Sequence, residues 1–440
     1  MRSDADIAAT LSAAFVAGTF EIDGLVDRGS TLFGRRWRWL RPLAGRLCKA
    51  FGGGPRPRQV AVARFLQADR GFSRARETYD LELKQLVAAP ATMSPVVAAA
   101  TWNVPAIRTA RELAAWLGIA LGELDWFADR RSWEAKRNAG RLRHYHYRPL
   151  AKRFGQIRLI EAPKPRLKEI QRRILDGILD RVPLHEAAHG FRLGRSIRSF
   201  AAPHVGRRVV LRVDLADFFP SIRVAQIQAL FRTIGYPDGV AQLLAGLCSN
   251  STPVEVWDVI VQPPSASLLR NVRFLYSQPH LPQGAPTSPA LANLCAYRLD
   301  CRLTALAASA GATYTRYADD LAFSGDAAFH RVVPRFQLHV CATAMEEGFA
   351  VQHRKTRIMR QAVRQRLAGI VVNQHLNVSR ADYDRLKATL TNCLRHGAQN
   401  QNRTRHADYR AHLLGKVSFV EMIHPARGLR LRELFEQIAW

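Results

Sequence analysis

The alternation of apolar and polar positions predicts a short β-hairpin near residue 318. Apolar residues alternate with polar ones in a run that ends at Tyr317, and a second apolar run begins at Leu321. Asp319 and Asp320 stand between the two runs. Period-two alternation on both sides of a short polar pair is typical of a hairpin. We therefore expect both carboxylates at a hairpin tip, pointing outward, where their mutual repulsion favours a neutralising cation.

A third carboxylate ends a second β-branched run. Residues 209–215 read as a strand, with Asp214 near its carboxyl end and the aromatic pair Phe218 and Phe219 directly after it. Taken singly, Asp214 is equally a helix cap or a loop residue, and adjacent aspartates are common in solvated turns. Three carboxylates that converge from two adjacent strands would instead hold two Mg²⁺ ions.

Helical periodicity predicts a helix-rich amino terminus and carboxyl terminus. A capping box at Thr109 opens two short helices that separate near Gly118, and Ser379 caps a long helix close to the carboxyl end. A Gly-Gly-Gly-Pro break predicts a linker near residues 52–58. The expected helices span residues 7–20, 167–179, 379–395 and 406–423.

The net charge of the chain indicates the kind of partner that it binds. The formal net charge of the 440 residues is +29, and a polyanion is the simplest way to accommodate such self-repulsion. Nucleic acid is therefore the expected partner. A membrane surface is the rival, but no long apolar span accompanies the charge. The six cysteines form no CxxC pair, and we see no export signal, so a reducing cytoplasm is the expected location.

Four ordered motifs resemble the palm motifs of reverse transcriptases. They are VDLADFFPSI (213–222), LPQGAPTSPALANL (281–294), YTRYADDLAFSG (314–325) and HRKTRIM (353–359). Four motifs in family order over roughly 150 residues are far more specific than one short match. The looser resemblance runs from about Arg141 to the carboxyl terminus and is greatest to bacterial retron reverse transcriptases.

The resemblance implies an α+β fold of the right-hand polymerase type. Its expected parts are an α-helical N-terminal extension (1–130), fingers (131–205), a palm built on an antiparallel sheet (206–375) and a helical thumb (376–440). Residues 252–280, between two palm motifs, look like an insertion of unknown role.

The same resemblance implies roles for individual residues. Asp214 and Asp319 would be the principal metal ligands, and Asp320 would complete the acidic cluster. Lys355 matches the family lysine that protonates or neutralises departing pyrophosphate. Phe219 falls where a ring excludes a 2′-hydroxyl, so the product should be DNA. Gln283 and Gly284 would line the nucleotide pocket, and basic side chains elsewhere would contact phosphates: Arg158, Lys164 and Arg166 in the fingers, and Arg385, Lys387, Arg395 and Arg403 in the thumb.

The expected function is that of a retron-type RNA-directed DNA polymerase. It would use dNTPs to copy a structured non-coding RNA, forming an RNA–DNA duplex and a branched RNA–DNA product linked to antiphage defence, with an effector or toxin protein as a further partner. Two departures concern the subgroup: Phe200 stands where retron enzymes commonly carry Asn, before Ala201 and His204, and Leu367 and Ala368 stand where they often carry Val and Thr. The alternatives are a non-retron defence reverse transcriptase, a nucleotide cyclase and a non-catalytic RNA-binding scaffold.

Overall fold

The structure, a computed structural model, describes residues 4–18, 20–51, 57–84, 92–133, 143–151, 157–258 and 266–440. The chain divides into two compact units, Met1–Ser94 and Pro95–Trp440. The predicted linker lies largely outside the described residues, at positions 52–56, as does part of the predicted insertion, at positions 259–265.

The first unit is a helical bundle with its own core. Leu11, Phe15, Leu25 and Phe72 are fully buried in that core, and removing such apolar side chains from water is the main force that folds a bundle of this size. Arg28 donates to the carbonyls of residues 14 and 15 and thereby satisfies the end of the first helix. The helices are Asp4–Phe15, Ile22–Phe33, Leu40–Phe51, Gln59–Ala68 and Arg70–Thr78.

The second unit contains the β-structure. Strands β1 (Tyr145–Ala151) and β2 (Ile157–Pro163) form an antiparallel ribbon. The strands after β2 are β3 (Val209–Ala216), β4 (Thr313–Tyr317), β5 (Asp320–Gly325), β6 (Ala350–Val351), β7 (Arg357–Arg360), β8 (Arg366–Leu367) and β9 (Ile370–Val371). The main sheet has the order β4-β5-β3-β6, and β7 also pairs with β3. Strands β8 and β9 form a separate small ribbon.

Strand β3 is central to the sheet because both of its edges are hydrogen-bonded to other strands. It pairs antiparallel with β5 on one side and with β6 and β7 on the other. Helices Tyr297–Ser309 and Ala327–Glu346 pack against the sheet and bury Phe323 and Phe329. A strand covered in this way reads as a nearly continuous apolar run, as the sequence of β3 does.

Helices make up most of the remaining second unit. Those before the carboxyl-terminal region are Ala110–Leu117, Leu121–Ala128, Pro165–Gly177, Ile197–Ala201, Phe218–Ser221, Val224–Ile234, Asp238–Leu247, Ala266–Ser277 and Ser288–Cys295. Arg380–His396, Ala398–Gln401, Tyr409–Ile423 and Pro425–Glu436 form the carboxyl-terminal helices. Their apolar faces share one core with residues of the sheet, which fixes these helices against it. That core includes Leu390, Leu413, Val417, Leu431 and Phe435 with Val210 and Ala322.

The predicted fold class, helical regions around an antiparallel sheet, is confirmed. The cap at Ser379 forms as expected, with its hydroxyl accepting from the amide of Asp382. The first helix ends at Phe15 rather than at residue 20, and the last predicted helix begins at Tyr409 rather than at residue 406. The boundaries at 130, 205 and 375 stay predictions. Among the helices described, none combines the length and apolar character that crossing a membrane requires.

Candidate active site

The register of two neighbouring strands brings the predicted acids together. In the antiparallel pairing of β3 with β5, Asp214 stands directly opposite Asp320. Asp319 occupies the turn that joins β4 to β5, and its carbonyl accepts from the amide of Leu215 at 2.9 Å. The expected hairpin therefore forms, and main-chain bonds hold its tip against the end of β3. The three predicted carboxylates belong to one corner of the sheet.

The turn residue before the paired acids has an unusual backbone. Ala318 has φ of 55° and is buried, although it carries a Cβ that disfavours the left-handed region. Gly190 comes so close to this turn that a Cβ on it would lie 2.7 Å from the amide nitrogen of Ala318. A strained backbone that close packing holds in place is typical of functional sites.

Two basic side chains face the acids. Lys355 Nζ lies 2.9 Å from Oδ1 and 3.0 Å from Oδ2 of Asp214. Arg212, two residues earlier on β3, donates from Nε and Nη2 to Oδ1 of Asp320, at 2.8 and 2.6 Å. Asp214 and Asp320 are thus each paired with a cation, whereas no side-chain partner of Asp319 is among the described ion pairs.

Asp319 lies in a buried environment close to two other carboxylates. Burial, together with the neighbouring carboxylates of Asp214 and Asp320, raises the pKa of Asp319 to about 6, while Lys355 opposes the rise. Burial also raises the pKa of Asp320, and Arg212 opposes that rise. The three carboxylates therefore share only two described basic side chains, Lys355 and Arg212. Such a site favours either a proton or a metal cation.

The donor chemistry fits a hard divalent cation. All three acids offer carboxylate oxygens, the ligands that Mg²⁺ prefers, and Asp319 is the one not engaged by a described basic side chain. With Lys355 on Asp214 and Arg212 on Asp320, no three His, Cys, Asp or Glu side chains in the described part of the chain are arranged around one ion position. A bound cation would compete with Lys355 for the oxygens of Asp214, because the ammonium contacts both of them.

A buried arginine that the sequence argument did not single out supports the hairpin. Arg316 on β4 is fully buried and donates from Nε and Nη2 to the two carboxylate oxygens of Asp300, at 2.8 and 2.6 Å. Its Nη1 donates to the side chain of Asn293 and to the carbonyl of Ala318. Tyr314 also donates to Asp300. The only signal in the sequence was a charged residue inside an alternating strand.

His204 ties the other face of the hairpin to the preceding helix. Its two ring nitrogens lie 2.6 Å from Ser324 Oγ on β5 and 2.7 Å from Thr315 Oγ1 on β4. Burial lowers the pKa of His204 to about 3, so the ring is neutral and donates through one nitrogen only. Thr315 in turn donates to the carbonyl of Phe200. The histidine that survives from the retron-like element is therefore a cross-strand clamp.

The predicted nucleotide-pocket loop rests on β2. The carbonyl of Gln283 accepts from the amide of Glu161 at 2.9 Å. Gly284 has φ of 138°, and a Cβ there would lie 2.8 Å from the Glu161 carbonyl oxygen. Both the conformation and the close approach require glycine. The backbone of β2 thus positions Gln283 and Gly284.

Glu161 also gives the predicted insertion a structural role. Its buried carboxylate accepts from Asn250 at 2.8 Å and Thr252 at 2.7 Å, and its second oxygen lies 2.8 Å from Nε2 of His280. Val256, Trp257 and Tyr276 pack on Ile157 and Leu159 of β2. The described part of residues 252–280 therefore braces the β1–β2 ribbon immediately before the Gln283 loop.

Phe219 lies just after β3, in the short helix Phe218–Ser221. Its ring centroid is 6.1 Å from that of Phe191 and 5.7 Å from that of Phe218. Phe191 in turn lies 6.3 Å from Tyr317, the last residue of β4. Aromatic surface therefore extends from Phe219 to the acidic hairpin, and Phe219 itself stays half-exposed.

The remaining predicted contacts are less closely grouped. Arg158 is exposed on β2, and Lys164 is half-buried directly after that strand. Arg166 contacts Glu169 at 3.1 Å and Glu123 at 3.7 Å, so part of its charge is already neutralised. The four predicted thumb contacts are all exposed on the carboxyl-terminal helical region, at Arg385, Lys387, Arg395 and Arg403.

Comparison with known proteins agrees with this geometry. Residues 150–384 match the family model described as reverse transcriptase (RNA-dependent DNA polymerase). The retron Mx65 reverse transcriptase of Myxococcus xanthus is 40% identical over 367 residues, covering 83% of this chain and 78% of that protein. The retron Mx162 reverse transcriptase of the same organism is 37% identical over 334 residues, covering 73% of this chain and 65% of that protein.

Among solved structures, a foamy viral protease-reverse transcriptase in complex with double-stranded DNA is similar at a low level. It has a TM-score of 0.34 and 15% sequence identity, covering 63% of this chain and 36% of the viral chain. The assignment to a family depends on the sequence matches.

Proposed function

Because the chain belongs to the reverse transcriptase family, we propose that it copies a structured non-coding RNA into single-stranded DNA. The activity itself, RNA-directed DNA polymerisation of retron type, follows from the family and from its curated relatives. The template, the primer and the biological role are the parts proposed here.

The reaction joins a nucleic-acid hydroxyl to the α-phosphate of a dNTP. A P–O bond forms to the attacking oxygen, the bond from the α-phosphate to pyrophosphate breaks, and the hydroxyl proton passes to solvent. The acidic corner formed by Asp214, Asp319 and Asp320 is where the hydroxyl and the triphosphate would meet. The observation that carries the proposal is the pairing of Asp214 with Asp320, with Asp319 bonded through its carbonyl to β3.

Reverse transcriptases generally use divalent metal ions, and we propose two Mg²⁺ ions held by Asp214, Asp319 and Asp320. When bound, these ions would lower the pKa of the attacking hydroxyl and stabilise the departing charge. Asp319 supplies the carboxylate that no described basic side chain engages.

Two further side chains are proposed to shape the reaction. Lys355, held at Asp214, carries a proton close to the acidic corner and would donate it to pyrophosphate as that group leaves. Phe219 would lie beneath the sugar of the incoming nucleotide, where its ring excludes a 2′-hydroxyl. Gly284 would let the backbone approach the nucleotide closely.

The retron assignment extends the proposal to priming and biology. The first attacking hydroxyl would be a 2′-OH of the enzyme's own RNA, giving a branched RNA–DNA product, and the complex would serve antiphage defence with an effector or toxin protein. The identity to two curated retron enzymes supports this. Phe200 in place of Asn, and Leu367 and Ala368 in place of Val and Thr, argue that this protein does not recognise its RNA in the way usual for retron enzymes.

The test is DNA synthesis by the purified protein with its co-purifying RNA, Mg²⁺ and labelled dNTPs. Wild type should make DNA that remains joined to RNA after denaturation and is released by a 2′,5′-debranching enzyme. Asp319→Asn should make none, because it removes the carboxylate that no described basic side chain engages. Asp326→Asn is the matched control, since Asp326 is an exposed acid at the end of the same hairpin, paired with Arg207.

Each part of the proposal has its own contrary result. Equal synthesis by wild type and Asp319→Asn would contradict the assigned site. Synthesis that debranching leaves unchanged would contradict 2′-OH priming while leaving the polymerase in place. Plaque counts on cells that express the locus, compared with the Asp319→Asn locus, test the defence role.

A further inference from the structure

Three rings lie nearly parallel near the carboxyl end of the chain. The centroids of His406 and His412 are 3.8 Å apart with an interplanar angle of 19°. Tyr409 lies 6.3 Å from His406 and 6.2 Å from His412, at interplanar angles of 14° and 17°. We call these three residues the ring stack. His406 is exposed, whereas Tyr409 and His412 are half-buried at the start of helix Tyr409–Ile423.

The loop that carries His406 is built in place by hydrogen bonds. Asn402 Nδ2 donates to the His406 carbonyl at 2.9 Å, and the His406 amide donates back to Asn402 Oδ1 at 2.8 Å. Arg405 between them has φ of 50°, a conformation that L-residues rarely adopt. Tyr409 donates to the carbonyl of Gln401 at 3.1 Å. These hydrogen bonds fix the backbone of the loop before any ligand arrives, which lowers the entropy lost on binding.

Three arginines lie next to the ring stack along the chain. Arg403, Arg405 and Arg410 are all exposed, and none of them takes part in an ion pair within the described residues. Burial lowers the pKa of His412, with contributions from Lys416 and His406. The surface therefore combines an exposed flat ring with guanidinium groups that have no ion-pair partner among the described residues.

That combination matches the chemistry of single-stranded nucleic acid. An unpaired base has a flat face that stacks on aromatic side chains, and its neighbouring phosphates attract arginine. A folded protein partner would offer neither regularly spaced phosphates nor an accessible flat face. A duplex also fits poorly, because its bases are already stacked on one another.

We propose that the ring stack binds an unpaired base of a nucleic-acid strand, with His406 as the outer platform and the three arginines on flanking phosphates. The inference rests on the proposed function for its ligand class but not on the acidic corner. The strand is either the RNA that the protein carries or the single-stranded DNA that it makes, since both present unpaired bases.

The test uses short single-stranded oligonucleotides with one 2-aminopurine, whose fluorescence is quenched when the base stacks. RNA and DNA forms are two arms, and a fully paired duplex is the third. Wild type should quench the 2-aminopurine fluorescence of one or both single strands and leave the fluorescence of the duplex unchanged. His406→Ala should weaken binding about tenfold and abolish the quenching. His406→Phe should restore both, because it returns a flat ring.

Matched variants separate stacking from charge. His396→Ala removes an exposed histidine of the same region that belongs to no described ring contact, and it should bind like wild type. Arg403→Gln should reduce the salt dependence of log Kd by about one charge, whereas His406→Ala should leave that slope unchanged. His412→Ala should lower quenching as His406→Ala does, because the outer ring loses its support.

Extension of a supplied RNA–DNA primer-template distinguishes this inference from the proposed function. His406→Ala should extend it normally, and Asp319→Asn should bind the single strand normally but fail to extend. Unchanged quenching in His406→Ala, or equal quenching of the duplex, would overturn the ring-stack proposal. So would a His406→Phe variant that binds as weakly as His406→Ala. Quenching by only one of the two single strands supports the site and identifies which strand it holds.

Discussion

Lys355 Nζ donates to both carboxylate oxygens of Asp214, at 2.9 and 3.0 Å, across 141 residues of sequence. The lysine follows β6, which pairs with the end of β3, so the main chain brings it to the acid. The pair joins a proposed proton donor to a proposed metal ligand. Its two functions can be separated by experiment.

Lys355→Gln should lower the rate of nucleotide addition by about 10²- to 10⁴-fold, the usual worth of a positioned proton donor. Mn²⁺ binding should persist or tighten, because the competing ammonium is gone from Asp214. Single-turnover kinetics and Mn²⁺ relaxation measure the two effects, and Lys168→Gln, an exposed lysine elsewhere in the unit, is the control. Parallel loss of Mn²⁺ binding and activity would contradict the proton-donor role.

Phe219→Val should relax selection against ribonucleotides. The smaller side chain leaves room for a 2′-hydroxyl, and steric discrimination of this kind is worth about 10- to 200-fold. The ratio of kcat/KM for dNTP and rNTP measures it. Phe274→Val removes an exposed ring from the helix Ala266–Ser277 and should leave the ratio unchanged. A ratio that Phe219→Val does not alter means that another residue contacts the sugar.

Gly284→Ala should impair nucleotide use, because the new Cβ would lie 2.8 Å from the Glu161 carbonyl in a backbone with φ of 138°. Relief of that clash must shift the loop that carries Gln283, so KM for dNTP should rise. Gly239→Ala is the matched control: a Cβ there meets nothing within 4 Å. In a helix this change should stabilise the protein by about 0.5–1 kcal/mol. An unchanged KM in Gly284→Ala would show that the loop lies away from the nucleotide.

Arg316→Gln should lower the free energy of unfolding by about 3–5 kcal/mol, because it leaves the buried carboxylate of Asp300 without its counter-charge. The loss of the bond to the Ala318 carbonyl should also reduce activity in the protein that remains folded. Arg380→Gln breaks an exposed pair with Asp384 and should change stability by less than about 1 kcal/mol. Chemical denaturation compares the two. A similar loss in both would argue against the buried network.

His204 should make the protein less stable in mild acid. Its pKa is lowered to about 3 in the folded state, against an ordinary value near 6.5, so below pH 6.5 the unfolded chain binds a proton that the native ring does not. Stability is therefore full above about pH 6.5 and falls toward pH 3, by up to about 1.4 kcal/mol per pH unit.

His204→Gln removes that contribution while its amide can still reach the two hydroxyl groups. The slope of unfolding free energy between pH 4 and 6 should become shallower in this variant. His396→Gln, at an exposed site, should keep the wild-type slope. A slope that is the same in all three proteins would mean that His204 is protonated in the native state.

Local patterns determined a large part of this protein. The alternating runs around Asp319 predicted the β4–β5 hairpin, the β-branched run at Asp214 predicted β3, and the hydroxyl of Ser379 marked the start of a helix; all three formed. These features depend on residues within one strand or one helical turn, where backbone preference and capping act. The four ordered motifs added the family, which the comparisons confirmed.

Tertiary structure alone decided which distant residues serve the site. Nothing near Arg316 or Asp300 in the sequence indicates a buried ion pair, and the helix Tyr297–Ser309 must pack on β4 before the two meet. Glu161 likewise meets His280 only once β2 lies beside the segment that precedes the Gln283 loop. Such contacts depend on how sheets and helices bury their apolar faces, and the polar groups enclosed by that packing must then find partners among whichever residues it brings near.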